Sequence, residues 1–240
     1  MSLVQKRALI TGASSGIGRA TAIAFAKAGI DIALVSRQKD RLESVAKEAR
    51  NLGVEAKAFP LDLAKVEQVH TQIDSIVAAF GSVNILVNNA GMGYTGDLIE
   101  TSLADWQKVI DLNLTSVFQC IKGVLPGMRD QGSGTIINVV SIAGLQVFPN
   151  WGAYCVSKFG LMALSKTLNI EERANGIRVT ALCPGSVNTP IWDSETVKAD
   201  FDRSAMLTPE IVAESILYVA LLPTSAVIEE LTLMPSVGKF

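Results

Sequence analysis

The sequence predicts an α/β fold, with one doubly wound parallel sheet and helices on both of its faces. Short β-branched runs alternate with longer helical patterns along the 240 residues. Several of these runs, among them ALI, IALV, NILV and TIINVV, are apolar throughout, which is typical of strands buried on both faces. No linker, repeat or low-complexity segment interrupts the alternation, so we expect a single domain over residues 1–240.

Seven segments are predicted to be strands. Because the gaps between them are mostly long enough for helices, the strands should pair in parallel through right-handed crossovers. The predicted strands are Arg7–Thr11, Asp31–Ser36, Val54–Pro60, Asn84–Asn88, Gly134–Val140, Ile177–Cys183 and Glu230–Met234.

Helical patterns fill most of the gaps. A glycine lies just past four of them (Gly29, Gly53, Gly81 and Gly176), and this residue type commonly ends a helix in a left-handed conformation. The predicted helices are Ile17–Ala28, Lys39–Leu52, Val66–Phe80, Ser102–Asp130, Trp151–Ala174 and Pro209–Leu222.

Composition argues against several classes of protein. The net charge is −2 and the charges are scattered, so we expect no nucleic-acid partner. The three cysteines and the single histidine, His70, lack metal-ligand spacing, and we expect no metal. No segment has the pattern of a signal peptide or a membrane span. We therefore expect a soluble, cytoplasmic protein without a membrane partner.

A glycine-rich loop follows the first predicted strand, as TGASSGIG at residues 11–18, and leads into a helix. Glycines there allow a tight turn and a close approach of the backbone to a pyrophosphate, and the helix N-terminus supplies free N–H groups. The loop predicts a dinucleotide site. An ordinary glycine-rich turn is the alternative, since such motifs have false positives.

The end of the second strand indicates which dinucleotide. An acid there would bind the ribose hydroxyl of NAD, but the chain has Ser36 and Arg37. A guanidinium suits a phosphate, which favours NADP(H). The alternative is that Arg37 is only a surface charge before the next helix.

Polar residues also follow the third and fourth strands. Asp62 is predicted either to accept a hydrogen bond from the adenine amino group or to cap the following helix. The tetrapeptide Asn88–Gly91 suits a loop beneath a cofactor, but it also fits a plain turn.

Tyr154 and Lys158 lie four residues apart in a predicted helix and therefore on one of its faces. A neighbouring ammonium stabilises a phenolate and lowers the tyrosine pKa. Ser141 closes the preceding strand and supplies a hydroxyl. A solvated Tyr–Lys pair is the alternative, although the uncharged surroundings count against it.

Together these motifs resemble the short-chain dehydrogenase/reductase family over almost the whole chain. The resemblance depends on TGASSGIG, NNAG at 88–91, Asn113 in DLNLTSVF, Ser141, YCVSK at 154–158 and PG at 184–185. It implies a Rossmann domain with a seven-stranded parallel sheet, a nicotinamide cofactor and a catalytic tetrad. The tetrad would be Asn113, Ser141, Tyr154 and Lys158.

The resemblance also implies a role for each tetrad residue. Tyr154 would donate a proton to a carbonyl oxygen, and Ser141 would hydrogen-bond that oxygen. Lys158 would bind the nicotinamide ribose and lower the pKa of Tyr154. Asn113 would kink its helix and hold a water that relays protons towards Lys158.

Cofactor contacts are implied along the whole length of an NADP(H) molecule. At the nicotinamide end they are Ile17, Asn88, Ala90, Gly91, Pro184, Gly185, Val187 and Thr189, beside Tyr154 and Lys158. At the adenosine and pyrophosphate end they are Gly12, Ser14, Ser15, Gly16, Gly18, Arg37, Asp62 and Leu63.

The substrate is expected against the stretches 142–151 and 186–206. Gln146, Phe148, Trp151 and Trp192 are the candidate contacts, and this mostly apolar set suits a hydrophobic ketone or thioester. The stretch 186–206 is a candidate lid, with a plain surface helix as the alternative. The family packs its two longest helices across a two-fold axis, and we expect a homotetramer, with a dimer next.

The function predicted from the sequence is NADPH-dependent reduction of a ketone to a secondary alcohol. A 3-oxoacyl thioester and a small hydrophobic carbonyl are both candidate substrates. Reductases of 3-oxoacyl carrier proteins tend to have an arginine before the glycine that opens the sixth strand, whereas this chain has Asn175 before Gly176. The alternatives are an NADP-dependent dehydrogenase of an alcohol or hydroxy acid and a non-catalytic NADPH sensor.

Overall fold

Seven parallel strands form one sheet in the order β3-β2-β1-β4-β5-β6-β7. The computed structural model describes residues 5–199 and 202–237. The strands are β1 (Arg7–Thr11), β2 (Asp31–Ser36), β3 (Ala56–Pro60), β4 (Ile85–Asn88), β5 (Gly134–Val139), β6 (Ile177–Pro184) and β7 (Glu230–Leu233). The predicted doubly wound parallel sheet is confirmed, and its strand order reverses between β1 and β4, where ligands of such sheets bind.

Helices cover both faces of the sheet. They are α1 (Gly16–Lys27), α2 (Lys39–Arg50), α3 (Val66–Phe80), α4 (Leu103–Ile110), α5 (Ser116–Gln131), α6 (Gly152–Glu172) and α7 (Pro209–Ala220). On one face α1, α2 and α7 pack with strand residues such as Ile10 and Leu34. On the other face α3, α5 and α6 pack with Leu9 and Val35. Alternate residues of each strand thus enter two separate cores.

Glycines follow two of these helices as predicted, and a capping residue that was not predicted starts another. Gly29 and Gly53 have φ values of 77° and 94°, which L side chains rarely adopt. Thr208 caps α7 by accepting a hydrogen bond from the Ile211 N–H, and Pro209 is the first residue of that helix.

The predicted helix Ser102–Asp130 is wrong in two respects. Ser102 is the N-cap of α4, where its hydroxyl accepts from the Asp105 N–H, and is not a helical residue. The residues Asp111–Thr115 form a turn of π-helix between α4 and α5. A π turn inserts one extra residue into the helical repeat, so it redirects the side chains within it without breaking the helix.

The described parts of the predicted lid contain two short 3-10 turns, Pro190–Asp193 and Arg203–Ala205, and no α-helix. Residues 200 and 201 of that stretch lie outside the described residues. The first part is joined to the loop after β4, because the Thr95 N–H donates to the Thr196 carbonyl at 2.9 Å and the Thr196 hydroxyl donates to the Gly93 carbonyl at 2.7 Å. Among the described residues, no helix has the length and hydropathy that crossing a bilayer requires.

Candidate active site

A cavity of about 490 Å³ lies across the carboxyl ends of the strands. It runs from the two loops that follow β2 and β3, past the glycine-rich loop, to the first turn of α6. Its position at the reversal of strand order is where the sequence predicted a dinucleotide.

The glycine-rich loop keeps its backbone open towards this cavity. Gly12 has a φ of 66°, and a Cβ there would lie 2.8 Å from the Asn89 side-chain nitrogen. Helix α1 begins after Ser15, whose side chain makes no capping hydrogen bond, and its first turn contains no acidic residue. The first-turn N–H groups and the positive end of the helix dipole are therefore suited to an anion.

Gly18 has a different role from the other loop glycines. A Cβ at Gly18 would lie 2.3 Å from the Gly12 carbonyl oxygen, so this glycine allows α1 to pack against the turn before it. It is absent from the cavity wall. The predicted contact between Gly18 and the cofactor is therefore not supported. Gly18 instead has the role of the third glycine in such loops, which is to allow close packing of the helix.

The end of β4 also differs from the expectation. The Asn88 side chain is buried inside the sheet, where its amide donates to Asn138 Oδ1 at 2.9 Å, and it is absent from the cavity wall. Asn89, one residue later, lines the cavity and donates to the Thr11 carbonyl at 3.0 Å. The loop NNAG was recognised, but the sequence does not reveal which of two adjacent asparagines faces inward.

Two arginines line the opposite end of the cavity. Arg37 is exposed there, as predicted, and Arg41 lies beside it with its guanidinium 3.3 Å from Gln38 Oε1. Within the described residues, neither forms a salt bridge with a carboxylate. Arg41 lies in the first turn of α2, whereas Arg37 precedes the N-cap of that helix, so helical spacing does not relate the two arginines.

Asp62 lines the same end of the cavity. Its carboxylate accepts from the Ala64 N–H at 3.1 Å, which closes a small turn, and Leu63 lines the cavity next to it. The N-cap of α3 is Lys65. The capping alternative for Asp62 is therefore wrong, and the residue remains available to the cavity.

Tyr154 and Lys158 project into the cavity from the first two turns of α6, close to Ser141. The Ser141 hydroxyl hydrogen-bonds to the phenol of Tyr154 and also accepts from the Ala143 N–H at 3.0 Å. The Lys158 ammonium donates to the Val139 carbonyl at 2.9 Å and lies 5.7 Å from the centre of the Tyr154 ring. The Ser141 hydroxyl, the Tyr154 phenol and the Lys158 ammonium thus lie close together in the cavity wall.

Burial changes the protonation behaviour of both titratable groups. It raises the pKa of Tyr154 to about 12, although the hydrogen bond with Ser141 lowers it in part. It lowers the pKa of Lys158 to about 8. Desolvation of the phenolate therefore outweighs the hydrogen bond with Ser141 in the net shift of the Tyr154 pKa. The lowering that the resemblance implies for Lys158 stays a prediction. At neutral pH the phenol is a proton donor.

Asn113 lies in the π turn, fully buried behind the wall. Its carboxamide accepts from the Met92 N–H at 2.8 Å and donates to the Met92 carbonyl at 3.0 Å and to Ser157 Oγ at 3.0 Å. A Cβ on Gly91 would lie 3.2 Å from Asn113 Oδ1 and 3.8 Å from the Lys158 ammonium. Asn113 and the Lys158 ammonium therefore lie on either side of Gly91, and Ser157 connects Asn113 to the Tyr154 backbone.

Aromatic side chains close the cavity beside Tyr154. The Trp151 ring centre is 5.4 Å from that of Tyr154 and 5.9 Å from that of Trp192, both in edge-on contact. The Trp192 indole donates to the Val187 carbonyl at 2.8 Å, and Phe148 completes this wall. Gln146 is exposed after the short turn Ile142–Gly144 and does not line the cavity, so its predicted substrate contact is not supported.

The structure brings most of the remaining predicted residues together. The cavity wall contains Gly12, Ser14, Ser15, Gly16, Ile17, Ala90, Gly91, Pro184, Gly185, Val187 and Thr189. Sequence reasoning missed Asn89, Arg41, Met92 and Ile191, which also line it.

Known proteins share this fold and these motifs. The model of a family described as short chain dehydrogenase matches residues 6–200. A 3-oxoacyl-[acyl-carrier-protein] reductase of Staphylococcus epidermidis is 41% identical over 185 residues, which are 77% of this chain and 76% of that protein.

Solved structures agree with that match. An alcohol dehydrogenase of the archaeon Thermococcus sibiricus, complexed with 5-hydroxy-NADP, has a TM-score of 0.89 at 33% identity and covers 98% of this chain and 99% of its own. The L-sorbose reductase of Gluconobacter frateurii, complexed with NADPH and L-sorbose, has a TM-score of 0.87 at 33% identity and covers 96% of this chain and 95% of its own. The chain belongs to the short-chain dehydrogenase/reductase family of oxidoreductases.

Proposed function

We propose that this protein reduces a ketone to a secondary alcohol with NADPH, and that Tyr154 is the general acid. The observation that carries the proposal is the meeting of the Tyr154 phenol, the Ser141 hydroxyl and the Lys158 ammonium in the wall of one cavity. That cavity is continuous with the glycine-rich loop and with Arg37.

The residues along the cavity fit NADPH. The glycine-rich loop and the first turn of α1 suit its pyrophosphate, and Arg37 and Arg41, which line the far end of the cavity, suit the 2′-phosphate. Thermococcus sibiricus alcohol dehydrogenase and L-sorbose reductase, the similar structures, hold NADP-type cofactors. When bound, NADPH supplies the hydride that reduces the carbonyl carbon.

The chain itself supplies the proton. Ser141 would hydrogen-bond the carbonyl oxygen and stabilise the negative charge that develops there. Tyr154 would donate its phenolic proton to the same oxygen, so that the ketone would gain this proton on oxygen and a hydride on carbon, which together give the alcohol. Lys158, mostly charged at neutral pH, would favour this transfer by stabilising the phenolate that results.

The preferred substrate in this proposal is a small hydrophobic ketone. The wall of Phe148, Trp151 and Trp192 limits the space beside Tyr154 and presents no charge. A 3-oxoacyl thioester is the second candidate, supported by the likeness to the Staphylococcus epidermidis reductase.

The surface beside β6 argues against a carrier-bound thioester. Arg129 forms a two-pronged ion pair with the buried Glu172, and Asn175 donates to the same carboxylate at 2.8 Å. Arg173 is paired with Glu229 at 3.1 Å. Both arginines that could attract an acidic carrier therefore already have carboxylate partners.

Steady-state turnover with a panel of ketones tests the proposal. Aryl ketones, diketones and an acetoacetyl thioester are compared with NADPH, and NADH is the parallel control. We expect the enzyme to reduce the small ketones with NADPH. Replacing Arg37 by alanine should weaken NADPH binding about tenfold, whereas the control variant Arg19→Ala should bind NADPH as the wild type does. Turnover of the thioester alone would support the second candidate. Oxidation of alcohols without any reduction would support a dehydrogenase, and cofactor binding without turnover would support a sensor.

We also propose a cytoplasmic homotetramer. Cys120, Cys155 and Cys183 are free and buried, which suits a reducing compartment. Exposed apolar residues on α4, α5 and α6, among them Leu103, Phe118, Val156 and Phe159, suit an interface between copies of the chain.

A further inference from the structure

Ser157 lies between Tyr154 and Lys158 on helix α6 but does not reach the cavity wall. Its side chain is fully buried on the far side of the wall. A buried hydroxyl needs hydrogen-bond partners, and those of Ser157 are two residues of the predicted site.

The hydroxyl of Ser157 connects Asn113 to the backbone of Tyr154. It accepts from the Asn113 carboxamide at 3.0 Å and donates to the Tyr154 carbonyl at 2.7 Å. Asn113 in turn holds both the N–H and the carbonyl of Met92, in the loop after β4. Each hydrogen bond in such a chain polarises the next.

This chain of bonds fixes three elements relative to one another. The loop after β4 and the first turn of α6 both line the cavity, and the π turn lies behind them. Without Ser157, nothing else among the described hydrogen bonds joins Asn113 to α6. The first turns of α6 would keep the hydrogen bond from Lys158 to the Val139 carbonyl and, just before the helix, the one from the Gly96 N–H to the Asn150 carbonyl, but they would lose their hydrogen bond to the π turn. The register of the Tyr154 phenol against the π turn would then be set by packing.

We propose that Ser157 is a positioning residue for the reduction, which holds the Tyr154 phenol in register with the π turn and the loop after β4. This inference rests on the proposed function. It assigns Ser157 no proton transfer and no contact with the substrate or cofactor.

The chain contains a matched control on the same helix. Ser165 is equally buried, accepts from the Asn138 carboxamide at 2.9 Å and donates to the Leu161 carbonyl at 2.7 Å. It lies two turns further along α6, away from Tyr154. Ser165→Ala therefore removes the same kind of hydrogen bonds as Ser157→Ala, but not the connection to the phenol.

The experiment compares both alanine variants with the wild type. It measures the melting temperature, the Kd for NADPH, kcat and KM for a ketone, and the isotope effect with deuterated NADPH. We expect both variants to lose a similar amount of thermal stability. Only Ser157→Ala should lose kcat, about tenfold to a hundredfold, with the Kd for NADPH and the KM nearly unchanged and a changed isotope effect. Ser157→Thr, which restores the hydroxyl, should recover kcat.

Equal kcat values for the two alanine variants would overturn the inference, as would a loss of NADPH affinity in step with kcat. An inactive wild type would overturn the proposed function instead. In that case, crystal structures of the two variants would still decide the inference, because only Ser157→Ala should move the phenol away from Ser141.

Discussion

A single buried amine and a single buried phenol account for the pH behaviour expected of this site. Burial pushes the pKa of Lys158 down to about 8 and that of Tyr154 up to about 12. Both shifts favour the neutral form, because desolvation penalises charge. At neutral pH, Tyr154 is therefore a neutral phenol and most Lys158 side chains beside it are protonated.

Removing the phenolic hydroxyl should abolish most of the activity while leaving the fold intact. Tyr154→Phe keeps the ring that packs against Trp151 and loses only the proton donor. We expect kcat to fall by about 10²–10⁴-fold, the usual contribution of general acid catalysis. The measurement is steady-state kinetics together with the Kd for NADPH. Tyr218→Phe, at an exposed tyrosine of α7, is the control and should retain activity.

Because Lys158 is buried, the free energy of unfolding should depend on pH in the alkaline range. Its pKa is about 8 in the folded protein and 10.5 in the unfolded chain, so between these values the unfolded state binds more protons. Stability therefore rises with pH across this window. The wild type should gain about 3 kcal/mol in free energy of unfolding relative to Lys158→Met between pH 8 and 10.5.

Urea denaturation of both proteins across that window tests the expectation. Lys166→Met, at an exposed lysine of the same helix that pairs with Glu230, is the control and should follow the wild type. A constant difference between the wild type and Lys158→Met would show that Lys158 titrates at its ordinary pKa.

At the scale of the elements, the turn between β1 and α1 needs a glycine for two independent reasons. Gly12 has a positive φ, and a Cβ there would approach the backbone of Ala90 at 2.9 Å. We expect Gly12→Ala to destabilise the protein by about 1–3 kcal/mol and to weaken NADPH binding. Gly127→Ala, inside α5 with nothing within 4 Å of the new methyl, should be stabilising by about 0.5–1 kcal/mol. Thermal unfolding and NADPH titration distinguish these outcomes.

The elements also show what a sequence reveals and what it does not. Apolar runs and terminal glycines predicted seven strands and most helix ends, because burial and left-handed termini restrict the residue type directly. The residue pattern does not reveal the π turn at Asp111–Thr115, since DLNLT has no helix breaker and its irregularity comes from tertiary packing around Asn113. Only the family resemblance predicts an irregularity there, as a kink at Asn113. The choice of Asn88 instead of Asn89 has a similar cause. Because successive residues of a strand face opposite sides, a shift of one position decides which asparagine faces the cavity.

For the whole molecule, the exposed apolar faces of α4, α5 and α6 predict assembly. Val156 and Phe159 are 46% and 42% exposed and lie on the same face of α6. Replacing both by aspartate should reduce the mass in solution from that of the proposed tetramer to that of smaller species, because charges would be buried at the interface. Light scattering measures the mass. Leu52→Asp, at an exposed residue just after the end of α2, should leave the mass unchanged.

The parallel sheet separates two rims of the molecule. Every chemical group of the proposed site lies at the carboxyl rim, whereas the turns at Gly29 and Gly53 lead into strands and so lie at the opposite rim. Both turns are exposed, and because the positive φ of each glycine disfavours its own replacement, a modification belongs on an exposed neighbour such as Lys27 or Asn51. A fluorescent label, a peptide tag or a tether to a solid support attached there would leave the entrance to the cavity clear.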